Sequence, residues 1–374
     1  MSTTYDLAIA GLGAMGSATA LDAARRGLRT IAFDRFAPPH TRGSSHGESR
    51  IIREAYFEDP RYVPIVQRAS ELWRALEQER GERLMLPTGG LMVGRPESGV
   101  VAGARASADL HGLPYQMLDA RQLRARFPAL RPDDDMVAVW EPNAGILYPE
   151  ACVAAQIAAA EAAGATIRAG EGVTAWRPDG EGVSVETPAG TYRASRLVLA
   201  TGAWTPTLLR EIDGELSISR QPLFWFEPRA NERAFDPERL PIHIWEWAPG
   251  RAFYGFPRLN GLVKMAIHGE GDPIDPDALR RELVPDESAE LRELIERYLP
   301  DAAGRLVLGV VCLYTNTRDE HFLIDRHPRH PQVVVVSACS GHGFKFAPAI
   351  GEIAVKLAMG DPTGYDLGLF AWRV

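Results

Sequence analysis

The chain has 374 residues, 45% hydrophobic and 24% charged, with a formal net charge of −8. This is the make-up of a soluble globular protein with room for more than one domain. It has no basic block, which excludes nucleic acid and anionic membrane as natural partners. Three cysteines, an odd number, argue against a disulfide framework, and the nine scattered histidines show no metal-ligand spacing.

The N-terminal stretch MSTTYDLAIAGLGAMG carries no basic leader, and its apolar part is too short to span a bilayer, so a reducing cytoplasm is expected. Tyr5 to Ala10 reads as a buried strand, followed by the glycine turn Gly11-Leu12-Gly13-Ala14-Met15-Gly16. An alanine-rich helix then runs to about Arg26, and a second strand from Leu28 to Phe33 ends on Asp34. This order is that of a dinucleotide-binding βαβ unit. Gly11 makes the turn, and Gly13 lets a pyrophosphate approach the helix N-terminus. Gly16 allows close helix packing, and Asp34 accepts hydrogen bonds from ribose hydroxyls. The pattern does not separate NAD from FAD.

Further along, a helix is predicted over Arg61 to Arg80, then mixed short elements, then a second alanine-rich helix from Pro149. Residues 165–200 read as short strands with turns at Pro178-Asp179-Gly180 and Pro188-Ala189-Gly190, ending in a buried strand before Thr201-Gly202. Residues 216–275 are rich in aromatic and β-branched residues and predict antiparallel sheet. DALRRELVPDESAELRELIERYLP predicts helix on both sides of Pro285. VVVVSACSGHGFKFAPAIGEIAVKLAMG predicts a third buried strand, a glycine turn and a helix.

The segments GLGAMGSATA, DRFAPPHTRGSSHGESRIIREAY, GILYPEACVAA, CLYTNTRDEHFLID and SGHGFKFAPAIGE resemble, in order and over nearly the whole length, the monomeric sarcosine oxidase and N-methyltryptophan oxidase family. The resemblance implies an α/β fold like that of D-amino-acid oxidase: a Rossmann-like FAD-binding domain with an inserted antiparallel-sheet substrate domain. The FAD-binding part is expected at 1–85, 140–215 and 305–374, and the substrate part at 86–139 and 216–304. The implied protein is a monomer that oxidises secondary amines with FAD and returns the electrons to O2 as peroxide.

The resemblance also assigns roles. Cys312 is joined through sulfur to the flavin 8α-methyl, and a thioether there favours electron uptake. Cys152 and Cys339 are read as structural. Arg53 and Lys345 hold the substrate carboxylate, a guanidinium through two parallel hydrogen bonds and an ammonium as a point charge. They are expected to form a pocket of two cations with no fixed anion. Outside that role, Arg53 would pair with Glu54 or Asp59. Lys264 faces the flavin and stabilises the charge that develops on O2; in a generic strand it would point to solvent. His268, four residues on, shares its strand face, and with Tyr254 and Tyr314 lines the pocket.

His46 and Arg50 lie in a loop over the other flavin face, with Ser45 where relatives can carry a second histidine. Thr201, Gly202, Gly341, His342 and Gly343 are cofactor contacts, the glycines of the last turn through backbone N–H groups. Trp245 and Trp247 either shrink the pocket to fit sarcosine, stack on a large aromatic substrate, or belong to the core. A small N-methyl amino acid is the expected substrate. The alternatives are a larger one such as N-methyltryptophan, or an amine dehydrogenase that does not use oxygen.

Overall fold

The computed structural model describes residues 4–372 except 213, 270 and 285. Strand Thr4–Ala10 pairs in parallel with Thr30–Asp34 on one side and Gly190–Leu199 on the other. Thr166–Ala169 extends this sheet at one end, and Val333–Ser337 extends it in parallel beyond Gly190–Leu199. The central strands are buried on both faces, which explains why they read as unbroken apolar runs. Helix Ala14–Arg25 packs against helices Pro149–Ala162 and Ala347–Met359. Small residues permit the close approach: a Cβ on Gly351 would meet the Ala18 backbone at 2.6 Å.

The second sheet has eight strands, in the order Leu306–Thr317, Leu216–Phe226, Val263–His268, Arg251–Gly255, Ile242–Ala248, Gly90–Gly94, Val137–Glu141 and Gln116–Asp119. All its pairings are antiparallel except Ile242–Ala248 with Gly90–Gly94, which is parallel. Its two faces alternate in character. Phe224, Phe226, Trp245, Phe253 and Met265 turn into one core. Leu223, Trp225, Ala266 and Cys312 turn the other way, with Tyr254 packed against them. A third sheet of Arg50–Ile52, Gly145–Leu147 and Met85–Pro87 lies in the chain segments that run between the two larger sheets.

Two expectations are corrected. The boundary at 305 falls just before strand Leu306–Thr317, and that strand is the edge of the antiparallel sheet. Cys312 therefore hangs from the substrate sheet, paired with Gln221. Helix was expected on both sides of Pro285, which lies outside the described residues; after it the helix is Ala289–Tyr298, which buries Leu291, Leu294, Ile295 and Tyr298. Among the described residues before it, only the short turn Pro276–Ala278 is helical. Buried Arg220 binds the carbonyls of Arg280 and Glu282 at 3.0 Å each, and Arg281 reaches back to the carbonyls of Thr41 and Arg42. These tertiary bonds override local helix propensity.

Candidate active site

One cavity runs from the N-terminal glycine turn to the antiparallel sheet. At the first end it is lined by Gly11, Gly13, Asp34, Thr201 and Gly202. Gly11 has φ +94°, and a Cβ there would meet the Ala200 carbonyl at 2.4 Å, so only glycine fits. The Asp34 carboxylate takes the N–H of Leu12 and of Phe36, both at 2.8 Å, which leaves lone pairs for a ribose. Ser45 Oγ takes the N–H of Ala14 at 3.1 Å, beside Gly13. A hydroxyl over this helix N-terminus suits a pyrophosphate site, a role the sequence alone did not reveal. Gly16 lies behind the turn, where a Cβ would strike the Gly11 carbonyl. These features fit a dinucleotide.

At the other end, strand alternation presents Tyr254, His268, Cys312 and Tyr314 to the cavity. Cys312 is 1% exposed, and its Sγ lies 3.4 Å from an Arg50 guanidinium nitrogen and 3.7 Å from the Ser44 carbonyl. An adjacent guanidinium is the electropositive setting that reactive cysteines use. Of the other two cysteines, Cys152 is fully buried, whereas Cys339 lines the cavity and accepts the Thr315 N–H at 3.3 Å. His268 Nδ1 is 3.3 Å from the Tyr314 hydroxyl, and burial lowers its pKa.

Arg53 and Lys345, distant in sequence, both line this end and are nearly fully buried. The expected absence of a fixed anion is corrected. One Arg53 nitrogen donates to both Glu58 oxygens at 2.6 Å, another donates to the Ala55 carbonyl at 3.1 Å, and the guanidinium lies over the rings of Tyr56 and Phe57. Neither Glu54 nor Asp59 is the partner. Burial works to raise the Glu58 pKa, but Arg53, His342 and Lys345 outweigh it and hold it at about 2. Lys345 Nζ donates to the His342 carbonyl at 2.6 Å and the Tyr56 hydroxyl at 3.3 Å. Burial, then repulsion from Arg53, pull its pKa down to about 7.

Three further residues sit differently from expectation. Lys264 is buried but does not line the cavity. Its ammonium is held under the 47–49 loop by the carbonyls of Gly47 at 2.7 Å and Ser49 at 2.8 Å and by Ser49 Oγ at 3.2 Å. Burial, with Arg50 nearby, pushes its pKa well below the ordinary lysine value. His46, which directly precedes that loop, is buried and also does not line the cavity. Burial and then Arg50, Arg281 and Lys264 lower its pKa to about 3, so it is neutral. Trp245 is fully buried on the core face of its strand, stacked on Phe253, and its indole N–H donates to His243 Nδ1 at 3.0 Å. Its neighbour Ile244 lines the cavity instead, because successive side chains alternate. Trp247 packs with Phe253 on the Trp245 side.

The 341–343 turn lines the cavity. The Gly343 N–H is used inside the turn, on the Cys339 carbonyl at 2.9 Å. Its missing side chain leaves room for the Ala338 carbonyl, and Gly341, at φ +73°, does the same for the Tyr314 ring. The His342 ring is committed to the Tyr56 hydroxyl at 2.5 Å and the Glu320 carbonyl at 3.0 Å.

A profile of FAD dependent oxidoreductases matches residues 6–357. A monomeric sarcosine oxidase of Streptomyces avermitilis is 44% identical over 99% of this chain and 97% of its own. An N-methyl-L-tryptophan oxidase of Salmonella heidelberg is 35% identical over 98% of each. Among solved structures, NikD, an unusual amino acid oxidase of nikkomycin biosynthesis, superposes with a TM-score of 0.85 at 29% identity, covering 100% of this chain and 98% of NikD. The chain belongs to the FAD dependent oxidoreductase family and is an amine oxidase of the group that holds the monomeric sarcosine oxidases and N-methyl-L-tryptophan oxidases.

Proposed function

We propose that this enzyme oxidises a small N-methyl amino acid, best represented by sarcosine. With O2 and water the products are glycine, formaldehyde and hydrogen peroxide. The observation that carries the reading is the pair of buried basic residues, Arg53 and Lys345, at the cavity end away from the nucleotide turn. A substrate carboxylate there takes over Arg53 from Glu58 and gains the Lys345 ammonium. Bound FAD supplies the two-electron oxidant. The chain's own residues orient the amine: Tyr254, His268 and Tyr314 wall the space beside the clamp, and neutral His268 leaves the amine free to lose its proton. A small substrate is favoured by the 44% identical relative, which is named a monomeric sarcosine oxidase, and Tyr314 and His268 pack directly on the Gly341 turn beside this space.

The reading extends to a monomer in the cytoplasm. The relatives' name and the three free cysteines support it. No helix among the described residues is long and apolar enough to cross a membrane.

The flavin is held through Cys312 in this reading. The purified protein should stay yellow after acid precipitation, with flavin mass on the peptide containing Cys312. Cys312→Ala should release all its flavin into the supernatant. Free flavin from fully loaded wild type would refute the linkage.

Lys345 gives the clamp a pH dependence. The cation is present below its pKa of about 7 and is lost above it. Methylthioacetate, which has the carboxylate but no amine, should bind with constant affinity well below pH 7. Its Kd should rise by up to about tenfold per pH unit above that, because binding then requires proton uptake. Spectral titrations from pH 6 to 9 measure this, and Lys345→Met should flatten the profile. A wild-type Kd that is level across the range would rule out Lys345 as the titrating cation.

A further inference from the structure

Arg53 sits where the chain leaves strand Arg50–Ile52, and the backbone just after it is gripped from another sheet. Glu141 ends strand Val137–Glu141 of the antiparallel sheet and is 1% exposed. One of its oxygens accepts the N–H of Glu54 at 2.6 Å, and the other accepts the N–H of Ala55 at 3.0 Å. Each residue beside this gripped pair serves the clamp. Arg53 precedes it and donates to the Ala55 carbonyl. Tyr56 follows it, and the Tyr56 hydroxyl receives the Lys345 ammonium. One carboxylate therefore fixes the two peptide units that follow Arg53 and lead to Tyr56, while Lys345 is shared between the Tyr56 hydroxyl and the closer His342 carbonyl.

We infer that Glu141 is a positioning residue for the substrate-carboxylate clamp, acting through the backbone of residues 54 and 55 on Arg53 and Tyr56. The inference rests on the clamp reading above. The groups that face Glu141 are the two N–H donors, the Glu54 carboxylate and the Arg53 guanidinium. Burial raises the Glu141 pKa to about 7, Glu54 adds to the rise, and the two N–H bonds and Arg53 oppose it. A buried carboxyl with so little cationic support is costly, and its two backbone bonds are what it supplies in return.

Glu141→Gln separates position from charge. It keeps the size, but its NH2 cannot accept an N–H. On charge alone, removing the negative charge that Glu141 carries above its pKa of about 7 would tighten binding of an anionic ligand. Loss of the grip does the opposite. Methylthioacetate Kd, read from the flavin spectrum and by calorimetry, is expected to weaken about tenfold or more. KM for sarcosine should rise in step, while kcat at saturation and flavin content stay within about twofold, the pattern of lost uniform binding. Glu141→Asp keeps the charge but is one methylene short, and it should weaken binding in the same direction. It also serves if the glutamine variant does not fold. Unchanged or tighter methylthioacetate binding in a folded variant would overturn the role of Glu141 and leave the clamp standing. Failure of wild type to bind methylthioacetate would overturn the clamp, and Glu141's role with it.

Discussion

Arg53→Ala is expected to weaken methylthioacetate binding by about 2–5 kcal/mol, the cost of truncating one partner of a buried charge pair. That corresponds to roughly 30- to 4,000-fold in Kd. Two effects add. The bidentate partner of the ligand carboxylate is gone, and Glu58 is left as an unpaired anion in the same space. Arg53→Lys should recover only part of the loss, because an ammonium cannot reproduce the planar two-point geometry. Adding Glu58→Gln to Arg53→Ala should recover another part by removing the stranded charge. Unchanged affinity in Arg53→Ala would remove the carboxylate clamp.

The second large effect is expected at Lys264. Lys264→Met keeps the chain length but deletes a buried amine from under the 47–49 loop. It also leaves the acceptors of Gly47 and Ser49 without their donor. Reoxidation of the substrate-reduced enzyme in air should slow by about 10²-fold or more, the scale for losing a preorganised charge stabiliser. Anaerobic reduction by substrate, followed by stopped flow, should suffer much less. Arg50 is the rival cation, since it lines the cavity beside Cys312 and Lys264 does not. A normal reoxidation rate in Lys264→Met, with a slow one in Arg50→Met, would move the role to Arg50.

Much of this molecule can be read from its residues. The glycine turn, the alanine-rich helices and Asp34 carry local signals, because a βαβ unit is built from neighbours in sequence. The substrate end is different. Arg53, Lys345 and Cys312 were identified through the resemblance, since nothing local marks a cysteine or an arginine as part of a cavity. Tyr56 and Glu141 carry no local signal because their roles arise from long-range contacts, and Glu58, five residues from Arg53, is one of several nearby acids that could pair with it. The grip of Glu141 on residues 54 and 55 spans 86–87 positions. Trp245 shows the converse. Its indole leaves pocket and core both open, and the period-2 alternation of strand Ile242–Ala248 turns it into the core and gives Ile244 to the cavity. The helix expected before Pro285 failed for a similar reason: the carbonyls it needed are taken by Arg220.

The central claim is that this enzyme oxidises a small N-methyl amino acid held by its carboxylate. The most direct measurement is aerobic turnover of the flavin-loaded protein, with peroxide and formaldehyde quantified for three amines: sarcosine, N-methyl-L-tryptophan and N-methylpropylamine. Peroxide and formaldehyde should appear in equal yields, with the highest kcat/KM for sarcosine and turnover of the carboxylate-free amine lower by at least about 10²-fold. Equal kcat/KM for sarcosine and N-methylpropylamine, or no peroxide from sarcosine, would contradict it.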